Sequence, residues 1–106
     1  MIRHIVLWKL AAADEATKRA DAATMAQALS SLPPLIPQIK ALSVGPNVAY
    51  PASNWDFALQ IDFANLVDLE AYQVHPEHVK VVEIVKARVS ERAAVDFELA
   101  SVGSQL

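Results

Sequence analysis

The segment from Tyr72 to His78, with the sequence YQVHPEH, holds the side chains best suited to chemistry. Two of the three histidines and one of the two tyrosines of the chain lie within it. An imidazole titrates near neutral pH and can take a proton from a substrate, while a tyrosine hydroxyl can hold a carbonyl oxygen. If the chain is an enzyme, these residue types favour proton abstraction next to a carbonyl group, with His78 as the general base and Tyr72 as the group that binds the oxygen.

Each of these side chains also has a structural interpretation. His78 lies close behind Pro76, and a histidine near the start of a helix often bonds to the backbone or covers a core. Tyr72 could cover the edge of a core and leave its hydroxyl in water. His75, directly before the proline, is predicted to cap the second helix and to border a ligand pocket. No metal site is predicted, because His4, His75 and His78 lack a recognised metal-ligand spacing.

The whole chain limits the classes of function. Its 106 residues predict one domain over residues 1–100 and a C-terminal tail over residues 101–106. A net charge of -3 without a basic cluster argues against nucleic acid binding, and the absence of cysteine excludes disulfides and a thiol nucleophile. The N-terminus does not resemble a signal peptide, and no apolar run approaches the roughly 20 residues that cross a bilayer. We therefore expect a cytoplasmic protein with no membrane partner.

Apolar periodicity and the positions of the prolines predict seven elements. The ring of Pro76 cannot continue the preceding helix but suits the first position of a new one, so it divides two helices. On the second of these, His78 shares a face with Val82 and Val85 and is predicted to point toward the core. In chain order, we predict strands at residues 2–10, 39–48, 56–63 and 93–99, and helices at residues 14–32, 65–74 and 76–90.

Alternation along the first strand leaves large apolar side chains on both of its faces. His4, Val6 and Trp8 share one face, whereas Ile5 and Leu7 lie on the other. The element order is that of an α+β domain with a ferredoxin-like split βαβ fold, in which helices cover one sheet face. A second copy of the chain is the simplest cover for the other face. We predict a homodimer, a dimeric α/β barrel, whose sheets enclose a space that His4 and Trp8 face.

Four stretches of the sequence resemble the stress-responsive dimeric α/β barrel family, Dabb, and they span nearly the whole chain. They are MIRHIVLWK at residues 1–9, SVG at residues 43–45, Tyr72-x-x-His75-Pro76-x-His78, and VDFEL at residues 95–99. The resemblance implies a ferredoxin-like subunit and a dimeric barrel. In a plant polyketide cyclase of this family, a first-strand histidine lines the pocket with a tyrosine and a histidine that flank the His-Pro segment. By motif position, these residues fall on His4, Tyr72 and His78. Some members also hold a magnesium ion near the dimer interface, but no acidic cluster here predicts one.

The residues and the resemblance together predict a pocket for a small, largely apolar ligand with carbonyl or phenolic oxygens. Trp8 and His75 would border this pocket, and His78, Tyr72 and His4 would be its catalytic residues. An aldol-type cyclisation or a lyase reaction at this site would need no cofactor.

Two other classes of protein remain open. One is a non-enzymatic, stress-associated dimer with a residual cavity. A fully packed His78, with no void beside it and no route from solvent, would exclude catalysis and favour this class. The other is a monooxygenase that acts on haem or quinones. That class would require a cofactor ligand or a redox group, and the sequence offers only histidines.

Overall fold

The computed structural model describes residues 1–100, which form a four-stranded antiparallel sheet with helices on one face. The strands lie in the order β2-β3-β1-β4, so the N-terminal strand is central. This arrangement confirms the predicted ferredoxin-like α+β fold. The predicted tail at residues 101–106 lies outside the described residues. The elements are β1 (Ile2–Leu10), α1 (Glu15–Ser30), β2 (Ala41–Pro46), β3 (Phe57–Phe63), α2 (Leu66–Val74), α3 (Pro76–Lys86) and β4 (Val89–Glu98).

The largest boundary difference from the sequence prediction lies between α3 and β4. The predicted helix continues to residue 90, whereas α3 ends at Lys86 and the last strand begins at Val89. Val89 pairs with Leu10 on β1, and the backbone N–H of Ala11 donates to the carbonyl of Arg88. Pairing with a central strand therefore overrides the helical pattern of this segment. Within residues 1–100, no helix is both long and apolar enough to cross a membrane.

The core lies between the helices and the sheet face that carries His4, Val6 and Trp8, and all three side chains are buried. The sequence placed these residues toward a space between two sheets, and that expectation is wrong for the single chain. The same face of β3 presents large apolar residues, which give the helices a continuous surface to cover. The remaining buried apolar side chains of this core include Leu10, Met25, Leu29, Leu59, Ile61, Phe63, Val81 and Val85.

The opposite sheet face is not covered by any helix of residues 1–100. It carries Ile5 and Leu7 from β1, with Val95 directly across from Ile5 on β4. Val95 and Phe97 of β4 are large apolar side chains, yet they are 52% and 40% exposed. On β4, therefore, Val95 and Phe97 lie on the uncovered face, whereas Arg92 and Asp96 lie on the face that the helices cover.

Candidate functional site

The joint between α2 and α3 is built by a histidine and a proline. His75 has an extended backbone, with φ -63° and ψ 133°, and serves as the cap at both helix ends. Its Nδ1 atom accepts the backbone N–H of Glu77 at 3.1 Å, and Pro76 occupies the first turn of α3. Because its ring nitrogen is used in this way, His75 stabilises the start of α3. The structure places His75 outside the wall of the cavity described below.

His78 lies in the first turn of α3 and is half-buried. Its Nδ1 atom lies 3.1 Å from the backbone carbonyl oxygen of Gln73, one of the carbonyls left without a partner at the end of α2. A carbonyl oxygen can only accept, so Nδ1 carries the proton of the neutral ring and Nε2 keeps its lone pair. Burial lowers the pKa of His78 from its ordinary value, which keeps the ring neutral at pH 7. His78 is thus present in the form that can accept a proton.

Tyr72 lies in the last turn of α2 and is fully buried. Its ring packs against the ring of His78, with 4.1 Å between the centroids, and against Phe63 at 5.1 Å. Burial raises the pKa of the Tyr72 hydroxyl, so the phenol remains protonated at neutral and moderately alkaline pH. A neutral base and a protonated phenol therefore lie side by side.

His4 is held by a carboxylate that the sequence did not identify. Its Nδ1 atom lies 2.5 Å from Oδ1 of Asp96, the residue directly opposite on β4. The His4 side chain is 4% exposed, whereas that of Asp96 is 37% exposed. The carboxylate accepts the Nδ1 proton, which leaves Nε2 as the ring nitrogen that His4 can offer to a ligand. This cross-sheet hydrogen bond also gives His4 a structural role.

A cavity of about 460 Å³ opens beside these side chains, between the sheet and helices α2 and α3. His4, Trp8, Tyr72 and His78 all line it. Trp8 also packs against Phe57, with 6.0 Å between the ring centroids, so it is both core and wall. Further apolar wall residues are Val6, Leu29, Leu59, Val81, Val82, Val85 and Val89.

The cavity is open to solvent at one side. Its buried lining residues form the floor, and its exposed ones must form the rim because they contact bulk water. The rim residues are Gln73, Lys86, Ser90, Glu91 and Arg92. Solvent can therefore reach the void beside His78, as a site of chemistry requires.

Among residues 1–100, no three histidine, aspartate or glutamate side chains come together as a metal ion would require. The site is therefore described by its histidines, its tyrosine and the carboxylate behind His4.

The fold and the site define a ferredoxin-like α+β domain with a histidine- and tyrosine-lined cavity under its helices. The sequence model of one family, described as Stress responsive A/B Barrel Domain, matches residues 2–99. The chain belongs to this family, Dabb, which confirms the assignment made from its motifs. A comparison with curated proteins gives no significant match.

Similar solved structures include two dimeric ferredoxin-like proteins of unknown function. The protein from Bacteroides fragilis is 35% identical, with 92% of this chain and 95% of that chain covered and a TM-score of 0.84. The protein from Thermobifida fusca is 33% identical, with 92% and 90% covered and a TM-score of 0.78. A hydroxynitrile lyase from Passiflora edulis shares the fold at 12% identity, with 94% of each chain covered and a TM-score of 0.77.

Proposed function

We propose that this chain binds a small, largely apolar molecule with a carbonyl or phenolic oxygen in the cavity beside His78, and that it catalyses proton transfer on that molecule without a cofactor. One observation carries the proposal. His78, with a free Nε2, packs against the protonated phenol of Tyr72 in the wall of a solvent-accessible cavity. A base and a hydrogen-bond donor at one point of an apolar cavity match the needs of enolate chemistry.

In the proposed reaction, Nε2 of His78 removes a proton from the carbon next to a carbonyl group. The hydroxyl of Tyr72 donates a hydrogen bond to the carbonyl oxygen and stabilises the negative charge that develops there. The enolate carbon then attacks a second carbonyl carbon of the same molecule, and a carbon–carbon bond forms. The new alkoxide takes the proton back from the His78 imidazolium, so the aldol closure needs no other reactant. Run in reverse, the same steps give a lyase reaction.

Two further features support this site. Asp96 fixes His4 so that its Nε2 is the nitrogen available on the cavity floor, where it can orient a second ligand oxygen. The similarly folded Passiflora edulis protein is named as a hydroxynitrile lyase. A lyase on this fold is consistent with the proposed chemistry, although at that identity the likeness concerns the fold alone.

Hydrogen exchange on a simple ketone tests the proposal without knowledge of the natural substrate. 2-Acetonaphthone is apolar, fits the predicted ligand class and carries hydrogens next to its carbonyl. Proton NMR in D₂O should show faster exchange of its methyl hydrogens with the protein than with buffer. The H78A variant should lose this acceleration, while H75N, which keeps a capping side chain, should retain it. Equal rates for H78A and the unaltered protein would reject His78 as the base.

We also propose that the chain forms a homodimer through the uncovered sheet face. The exposed Val95 and Phe97 of β4, on the same face as the half-buried Ile5 and Leu7 of β1, support this, since a contiguous apolar face on a protein surface marks an interaction site. The dimeric state of the Bacteroides fragilis and Thermobifida fusca proteins supports it as well. The same face is compatible with a non-enzymatic dimer, whose role in a stress response the family description suggests. The exchange experiment separates that alternative from the catalytic one.

A further inference from the structure

The rim of the cavity carries two positive charges. Arg92 and Lys86 both line the cavity and are exposed. Among residues 1–100, neither has a carboxylate within ion-pair distance. The acidic rim residue, Glu91, pairs with Lys9 at 3.4 Å, on the opposite face of the sheet. In a chain with a net charge of -3, the rim is thus a local region of positive charge.

Arg92 is directed toward the reactive side chains. It lies opposite Trp8 in the pairing of β4 with β1, so both side chains stand on the sheet face that the helices cover. Burial raises the pKa of Tyr72, and the charge of Arg92 opposes this rise. Burial lowers the pKa of His78, and Arg92 adds to that decrease. Arg92, Tyr72 and His78 also line the same cavity, so one ligand can contact all three side chains.

We propose that the ligand of this cavity carries a carboxylate, which Arg92 binds at the rim with help from Lys86 while the apolar body lies against the valines of α3. This inference rests on the proposed function, because it concerns the same cavity. The guanidinium is a planar fork that matches both oxygens of a carboxylate, whereas Lys86 adds a single mobile charge. The carbonyl or phenolic oxygen of the same molecule would then reach Tyr72 at the floor.

A matched pair of ligands isolates the contribution of the carboxylate. 6-Hydroxy-2-naphthoate has a phenolic oxygen at one end and a carboxylate at the other, and 6-hydroxy-2-naphthamide differs in having a neutral amide. Isothermal titration calorimetry should show that the naphthoate binds about tenfold more tightly, as expected for a partly solvated charge-assisted contact. Added salt should weaken binding of the naphthoate and leave binding of the naphthamide unchanged.

Variants of Arg92 and Lys86 test whether these two side chains cause the preference for the carboxylate. R92Q should lose most of the preference for the naphthoate and should bind the naphthamide as the unaltered protein does. K86Q should lose a smaller part of the preference, and R92Q/K86Q should bind both ligands equally. K80Q is the matched control, because Lys80 lies on the same helix as Lys86, outside the cavity wall, and pairs with Glu77. It should retain the full preference.

The outcomes separate the two proposals. Equal affinity of the unaltered protein for both ligands, or a preference that is as large in R92Q as in the unaltered protein, would overturn carboxylate recognition and leave the pocket itself standing. Failure of both ligands to bind would overturn the proposed pocket and carboxylate recognition together.

Discussion

At the scale of single residues, the backbone carbonyl of Gln73 decides which nitrogen of His78 can act as a base. It occupies Nδ1 of His78 and leaves Nε2 for a substrate proton. Asp96 does the same for His4. Each contact comes from a neighbouring element. Helix α2 orients His78 on α3, and strand β4 orients His4 on β1.

The pH dependence of exchange follows from the direction of the His78 pKa shift. His78 acts as a base only when neutral, and its pKa lies below the ordinary value of 6.5 because burial disfavours the charged ring. The rate of exchange on 2-acetonaphthone should therefore be level near pH 7 and fall as the pH drops through the lowered pKa. NMR rates measured across the acid range give this midpoint. A midpoint above 6.5 would contradict the proposed role of His78, and H78A should lack this pH dependence.

At the scale of elements, the site depends on the break between α2 and α3. Tyr72 lies in the last turn of one helix and His78 in the first turn of the next, and their rings meet because the chain is extended at His75 between them. Pro76 enforces this conformation, since a residue before proline avoids the helical region. The break also frees the Gln73 carbonyl that orients His78.

Replacement of Pro76 tests the joint. P76A should lower the free energy of unfolding by about 0.4–1 kcal/mol, because the unfolded chain gains conformational freedom. Urea unfolding measures this change. P76A should also loosen the contact between His78 and Gln73. As a result, ¹⁵N NMR of His78 should report a mixture of tautomers instead of a proton fixed on Nδ1.

A second proline provides the control for P76A. Pro34 is exposed in the turn that follows α1. P34A should therefore lower the free energy of unfolding by a similar amount and leave the tautomer of His78 unchanged. An unchanged tautomer in P76A would show that the proline does not position His78.

At the scale of the whole molecule, the uncovered sheet face accounts for the exposure of Val95 and Phe97 on β4. Both side chains point away from the helices, where a second copy would bury them, while Arg92 of the same strand lines the cavity on the other face. The proposed dimer and the proposed site thus use opposite faces of the same strand.

A charge on the uncovered face should prevent dimerisation. F97E would place a carboxylate in the proposed interface, where burial of an unpaired charge is unfavourable. Size-exclusion chromatography with light scattering should report a monomer for F97E and a dimer for the unaltered protein. V74E is the control, because Val74 is 75% exposed on α2, away from the sheet. A dimer that persists in F97E would place the interface elsewhere.

The order of the elements and the helix break at Pro76 were predictable from the sequence, because both depend on interactions between near neighbours in the chain. Alternating polarity, the proline ring and the preceding histidine act over a few residues. The family motifs led to Tyr72, His78 and His4 for the same reason, since they are local in sequence. The three do line one cavity.

The sequence did not reveal Asp96, the rim formed by Arg92 and Lys86, or the side of the sheet that His4 faces. Asp96 lies 92 residues from His4, and only the register of β4 on β1 brings their side chains together. Strand alternation divides residues between two faces without stating which face the helices cover. The sequence by itself therefore determined the elements and the reactive residue types, whereas long-range strand pairing and helix packing decided the cavity, its charged rim and the orientation of both histidines.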